Sequence, residues 1–325
     1  MVRYDQGMID AQAIPAPAEA LDSVLREELA QGDAALSSMA PILRHLLDNG
    51  SNSVFRDEIV AGVRGMIADI ARQLLDKMAK ASGEDDWRAH EACPAGELAA
   101  ALIESPSLLR HLHALAIETQ LATRLQSTMA LDPVVPPLLL SLIASADTAA
   151  SSTAMNLLAA QARFRQAQQR MKLPLTELPG DLLHGVLLAM RAVAGTEQAS
   201  ESAAAAADAA IRVRYSEAMS RLGLMSGLVI GMGAGAVAAL SVGNAGLALF
   251  LTALSLASGQ DRDLSVLATS ESQMARFALT LGSAGLRPGQ VSEQFLALHP
   301  DVVLPEGFDQ LGADHAAALL AAAGR

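Results

Sequence analysis

A single cysteine, Cys93, stands in the whole chain, which rules out an internal disulfide framework and fits a reducing compartment. Aromatic residues are nearly as scarce, with one Trp, two Tyr and six Phe making up 3% of a sequence that is 51% hydrophobic. The apolar mass is therefore Ala, Leu and Val, small or straight side chains that suit close helix packing better than strand pairing. Basic residues are also short, 23 Lys and Arg against 35 Asp and Glu. The resulting net charge of −12 argues against a phosphate backbone as a general partner, because nucleic-acid binding rests on clustered cations. An apolar secretory core is missing from the first residues, which carry Arg3, Asp5 and Asp10, so the expected location is the cytoplasm. The widest gap is in charge itself: residues 222–260, between Arg221 and Asp261, hold no Asp, Glu, Lys, Arg or His.

What remains is a succession of helical signals. Residues 21–30 and 33–48 read as a helix pair, the second capped by Asp33. Ile59, Val63, Ile67, Ile70, Leu74 and Met78 recur at spacings of three and four, one apolar stripe of a longer helix. Gly83, the acidic run Glu84, Asp85, Asp86 and the lone Trp87 then break the pattern. Pro94 suits a first helical position, Ser105 or Ser107 an N-cap, Asp132 with Pro133 a restart, and Asp147 another cap. Pro174 and Pro179 force a link; Asp181 caps a helix that Gly195 ends, and residues 203–207 open the next. Ser270 and Gln273 have capping-box spacing, Pro288 starts a further helix, and residues 313–323 form the last. The expectation is an all-α chain of stacked helical hairpins, a HEAT-like α-solenoid or an irregular helical array, with no strand. Its expected divisions are a disordered tail over 1–19, an N-terminal helical unit over 20–82, a linker over 83–93 and a helical-repeat-like domain over 94–325.

The uncharged segment has two ways to leave water. Residues 222–242 are long enough for a span of about 20 residues, and Gly227, Gly231 and Gly235 fall four apart, the spacing of close-packed membrane helices. Yet the large aliphatics there supply roughly −2 to −5 kcal/mol of insertion free energy, a marginal figure. A turn at Gly243 and Asn244 followed by a short helix over 245–258, with Leu247, Phe250, Leu251 and Leu254 on one face, fits a buried core better.

The order Gly243, Asn244, Ala245, Gly246, then Leu247 through Leu251, Leu254, Gly259 and a further helix from Ser270 to Gly282, resembles the C-terminal region of a bacterial family of HEAT-like domains of unknown function. Gln161, Ala162, Arg163 and Phe164, with the later Leu173, Pro174, Leu178 and Pro179, match the same pattern. The resemblance covers the C-terminal two thirds. It implies an α-solenoid that binds other proteins, and it carries over no catalytic residues.

Few constellations carry chemistry. Gly231, Gly233 and Gly235 lack the Lys, the preceding strand and the acidic residue of a nucleotide site, so no cofactor is expected. His90 with Cys93, and His111 with His113, are weak zinc candidates, since residues two apart on a helix diverge by about 200°; no metal is expected. No nucleophile, acid and base set is legible, and the chain is read as non-enzymatic. Arg163, Arg165, Arg170 and Lys172 form a cationic run without an intervening acid, with Phe164 turned inward and Arg163 and Arg170 seven apart on one helix face. These four residues are either a solvated helix face, as charge runs usually are, or the contact for an acidic protein partner of a scaffold or adaptor. The alternative is a protein of the inner membrane, anchored by 222–242.

Overall fold

The computed structural model describes residues 17–48, 58–83, 94–195 and 198–323. Of the tail expected over 1–19, residues 1–16 lie outside the described residues, as do residues 84–93 of the linker and the pairing of His90 with Cys93, while 17–19 open α1. Among the described residues there is no strand, and the chain is an all-α array. Its helices are α1 (Pro17–Asp48), α2 (Glu58–Ser82), α3 (Pro94–Ile103), α4 (Pro106–Met129), α5 (Pro137–Ile143), α6 (Thr148–Gln168) and α7 (Gly180–Ala194). Then come α8 (Gln198–Arg214), α9 (Arg221–Gly231), α10 (Val242–Ser258), α11 (Arg262–Leu267), α12 (Met274–Ser283), α13 (Pro288–Leu298) and α14 (Ala313–Ala323). Short 3₁₀ turns cover, among others, Gly233–Leu240 and Glu271–Gln273.

Several starts and stops follow from local chemistry. Ser105 Oγ accepts from Leu108 N at the head of α4, and Asp147 accepts from Ala149 N and Ala150 N at the head of α6. Gly195 ends α7, and Pro94 and Pro288 open α3 and α13.

Other expectations are corrected. The pair at 21–30 and 33–48 is one continuous helix, because Asp33 does not cap but pairs with the buried Arg276. Gly32 lets the helix continue there: Gln273 Nε2 donates to its carbonyl at 2.6 Å, and an added Cβ would meet Gln273 Oε1 at 2.7 Å. Gln273 is thus committed to α1, and the capping box with Ser270 does not form. Asp132 accepts from Val134 N and Val135 N in a turn that precedes α5. Pro179, with Asp181 in the first turn, begins α7. The helix expected from 203–207 already starts at Gln198 and stops at Arg214.

The uncharged segment does not form the long helix its length suggested. Among the described residues no single helix is long and apolar enough to cross a membrane. Arg221–Gly231 and Gly233–Leu240 are bent by 119° to one another, so Gly227, Gly231 and Gly235 do not share one helical stripe. The break after them sits at Gly246, not at Gly243 and Asn244. Gly246 has φ 70°, ψ 161°, a region open to glycine alone, and an added Cβ there would meet Pro136 Cβ at 2.9 Å. Beyond it, Leu247, Phe250, Leu251 and Leu254 are buried, but so are Leu249, Thr252 and Ala253, so the helix is enclosed on nearly every side and not along the single face expected.

Two hydrophobic cores result. One gathers Leu25 and Leu29 of α1 with residues of α5, α9, α10 and α12 to α14; the other gathers α2, α3, α7 and α8. Three helices feed both cores, α1 among them, since Leu47 near its end enters the second. From α4, Leu108, Leu112 and Leu115 enter the second and Leu121 and Leu125 the first; from α6, Leu157 and Ala160 enter the first and Phe164 the second. Pairing is not confined to chain neighbours, since α2 packs extensively on α8 and α1 on α14. That distinguishes an irregular array from a linear stack, in which each unit touches its neighbours alone.

Candidate functional site

Three polar constructions stand out. The first lies at the seam of the two cores. Glu118 of α4 is buried and receives Nη1 of Arg221 at 2.7 Å and Nη2 at 3.4 Å. Arg262 Nη2 lies 3.0 Å from the same carboxylate, close enough for charge pairing but not aligned as a hydrogen bond. The Arg221 guanidinium also sits 3.7 Å from the centroid of the Phe164 ring. Arg221 and Arg262 bracket the uncharged segment in sequence, so one carboxylate ties its two ends together. Burial by itself raises the Glu118 pKa, but the charges of Arg221 and Arg262 outweigh it and bring the group down to about 2. Beside it, His111 Nδ1 lies 2.9 Å from Asp263 Oδ2. Burial raises the Asp263 carboxyl, and the bond to His111 together with the charges of His111, Arg262 and Arg110 more than reverses that.

An acid and a histidine in contact resemble part of a catalytic triad, but here the imidazole is buried. His111 is 1% exposed, and its Nε2 has no hydrogen-bond partner among the described residues. The network ties α4 to α9 and α11. Sequence reading separated His111 from His113 correctly: His111 turns to Asp263, while His113 turns to Met39 Sδ. Among the described residues no group of three or more His, Cys, Asp or Glu is placed to hold a metal ion.

The second construction is the cationic run. Phe164 is buried as expected, and Arg163 is exposed. Arg165, half-buried, is committed to α4, donating to Thr123 Oγ1 at 2.9 Å and to Thr119 O at 3.4 Å. The helix ends at Gln168, and Met171 has φ 53°, so Arg170 and Lys172 project from a turn. The seven-residue spacing of Arg163 and Arg170 is therefore not carried by one continuous helix. Among the described residues no carboxylate pairs with any of the four cations, whereas Arg44, Arg72, Arg212, Arg221 and Arg276 each hold one.

The third construction is an open cavity of about 390 Å³ against α4. Ile59, Ile117 and Leu121 supply an apolar wall; Gln120, Arg124, Thr269, Ser270, Glu271 and His299 supply polar groups. Arg124 is oriented by a 2.7 Å bond to Leu298 O. His299, 6% exposed at the end of α13, packs its ring against Phe295 and Phe277, with centroids 5.3 and 5.8 Å away. Burial, then the Arg124 charge, lowers the His299 pKa against a smaller opposing effect of Glu271, which keeps the imidazole neutral at neutral pH. A smaller hollow of about 150 Å³ shares Ile59 and Gln120 with this cavity and reaches Arg165. Nothing in the sequence pointed to this grouping, because α4, the 271–273 turn and the end of α13 are distant along the chain.

No family model, no curated protein and no solved structure matches this chain.

Proposed function

We propose that this protein is a non-enzymatic helical scaffold or adaptor that captures an acidic segment of another protein. The observation that carries this reading is the run Arg163, Arg165, Arg170 and Lys172, which has no carboxylate partner among the described residues on a chain of net charge −12. Unneutralised cations on an acidic surface favour a partner carboxylate through charge-assisted hydrogen bonds. Kinship with HEAT-like binding domains and a cytoplasmic setting belong to the same proposal. The test is fluorescence anisotropy of a labelled oligo-glutamate peptide with the full chain. Arg163→Glu together with Arg170→Glu should weaken binding by about tenfold or more at low salt. Unchanged affinity, in a variant with an unchanged helical spectrum, removes this surface.

A second reading, a membrane-associated protein anchored within 222–242, draws support from the corner between α9 and the following 3₁₀ turn. Ile230 and Val237 are 67% and 62% exposed there, in a segment without charge. Flotation with neutral lipid vesicles tests it: the chain should rise with the vesicles, and Ile230→Asp with Val237→Asp should keep it at the bottom.

A further inference from the structure

The cavity against α4 asks for a different kind of ligand from the α6 cations. Its volume of about 390 Å³ falls in the range of small-molecule sites. Two charges of opposite sign line it, Arg124 from α4 and Glu271 from the 271–273 turn. They make no ion pair with each other or with another charged residue described. Both fields reach the ring of His299 on the same wall, with opposite effect. A simple anion would meet Arg124 but be opposed by Glu271, and a simple amine would meet the reverse. The remaining wall, Ile59, Ile117 and Leu121, rewards an apolar group, while Gln120 and Ser270 offer neutral hydrogen-bonding capacity.

We propose that this cavity binds a small zwitterion with an apolar side chain, of free amino acid to dipeptide size, its carboxylate on Arg124 and its ammonium on Glu271. The apolar side chain lies on Ile117 and Leu121. The ligand neutralises two charges that the fold leaves facing one opening, and its size matches a space too large for a lone ion.

Isothermal titration of the full chain with leucine, methionine, phenylalanine and dileucine tests this. At least one should bind saturably. 4-Methylpentanoate, which lacks the ammonium, and isopentylamine, which lacks the carboxylate, should each bind about tenfold or more weakly. Arg124→Gln and Glu271→Gln should each raise the Kd of the zwitterion by a similar factor; Glu271→Gln, at an exposed side chain without an ion pair among the described residues, should leave the thermal melt unchanged, and Arg124→Gln, which also gives up the bond to Leu298 O, should keep the helical spectrum. Absence of saturable binding by all four probes up to about 10 mM overturns the proposal. Equal affinity for a one-charge analogue, or indifference to Glu271→Gln, overturns it as well. Arg163→Glu with Arg170→Glu should leave this Kd unchanged, so failure here and failure of acidic-partner capture are separately visible.

Discussion

Arginines serve this protein in two opposite ways. At the seam of the cores, Arg221 is 1% exposed and its charge is met by Glu118, 2.7 Å from Nη1 and 3.4 Å from Nη2. At the end of α6, Arg163 and Arg170 are exposed and meet no carboxylate among the described residues. The difference lies in solvation. A guanidinium removed from water costs several kcal/mol unless a counter-charge and hydrogen bonds replace the lost hydration, so every buried arginine must be answered from within the fold. A surface guanidinium keeps its water, needs no internal partner, and stays available to an external one.

The strongest way to break this contrast is Glu118→Ala. It leaves two guanidinia at the core seam without their carboxylate, and should cost about 3–5 kcal/mol or prevent folding; urea denaturation followed by circular dichroism measures it. Acid acts on the same group more gradually. Because the folded pKa of Glu118, about 2, lies below its ordinary 4.5, its contribution is fully present above the ordinary value and is lost as pH falls from there toward about 2. Asp263 titrates in the same direction. An unfolding midpoint that declines through this window should decline less steeply in Glu118→Gln, measured against its own lower baseline, with the share due to Asp263 remaining.

An intermediate case sharpens the comparison. Arg276 is 3% exposed, but its partner Asp33 is 36% exposed, so Asp33→Ala leaves a guanidinium close to water and still bonded to Gln273 Oε1. The expected loss is about 1–3 kcal/mol, below that of Glu118→Ala in the same denaturation series. Arg163→Glu with Arg170→Glu should be smallest, within about 0.5 kcal/mol of the parent, while changing acidic-peptide binding most. A cost comparable to Asp33→Ala would mean that these cations serve the fold and not a partner.

The ends of α3, α4, α6, α7 and α13 could be read in advance because Pro94, Ser105, Asp147, Gly195 and Pro288 act within one turn of themselves. The signals that misled were those whose side chains are claimed from far away: Asp33 by Arg276, and Gln273 by the carbonyl of Gly32. The cationic run was visible as a run, but its continuous helical face was not real, since α6 stops at Gln168. The cavity with Arg124, Glu271 and His299 left no sequence signal, because no periodicity relates residues on separate elements.

Composition, the spacing of apolar residues and local caps were enough by themselves to determine that the chain is helical and where many helices begin. These depend on backbone hydrogen bonds and side-chain periods that act over a few residues. Tertiary structure alone decided that the uncharged segment bends by 119° instead of running straight. It also decided that Arg221 and Arg262 close on one carboxylate, and that opposite charges face a common cavity. Desolvation, charge pairing and close approach depend on distance in space, and the order of residues along the chain does not specify that distance.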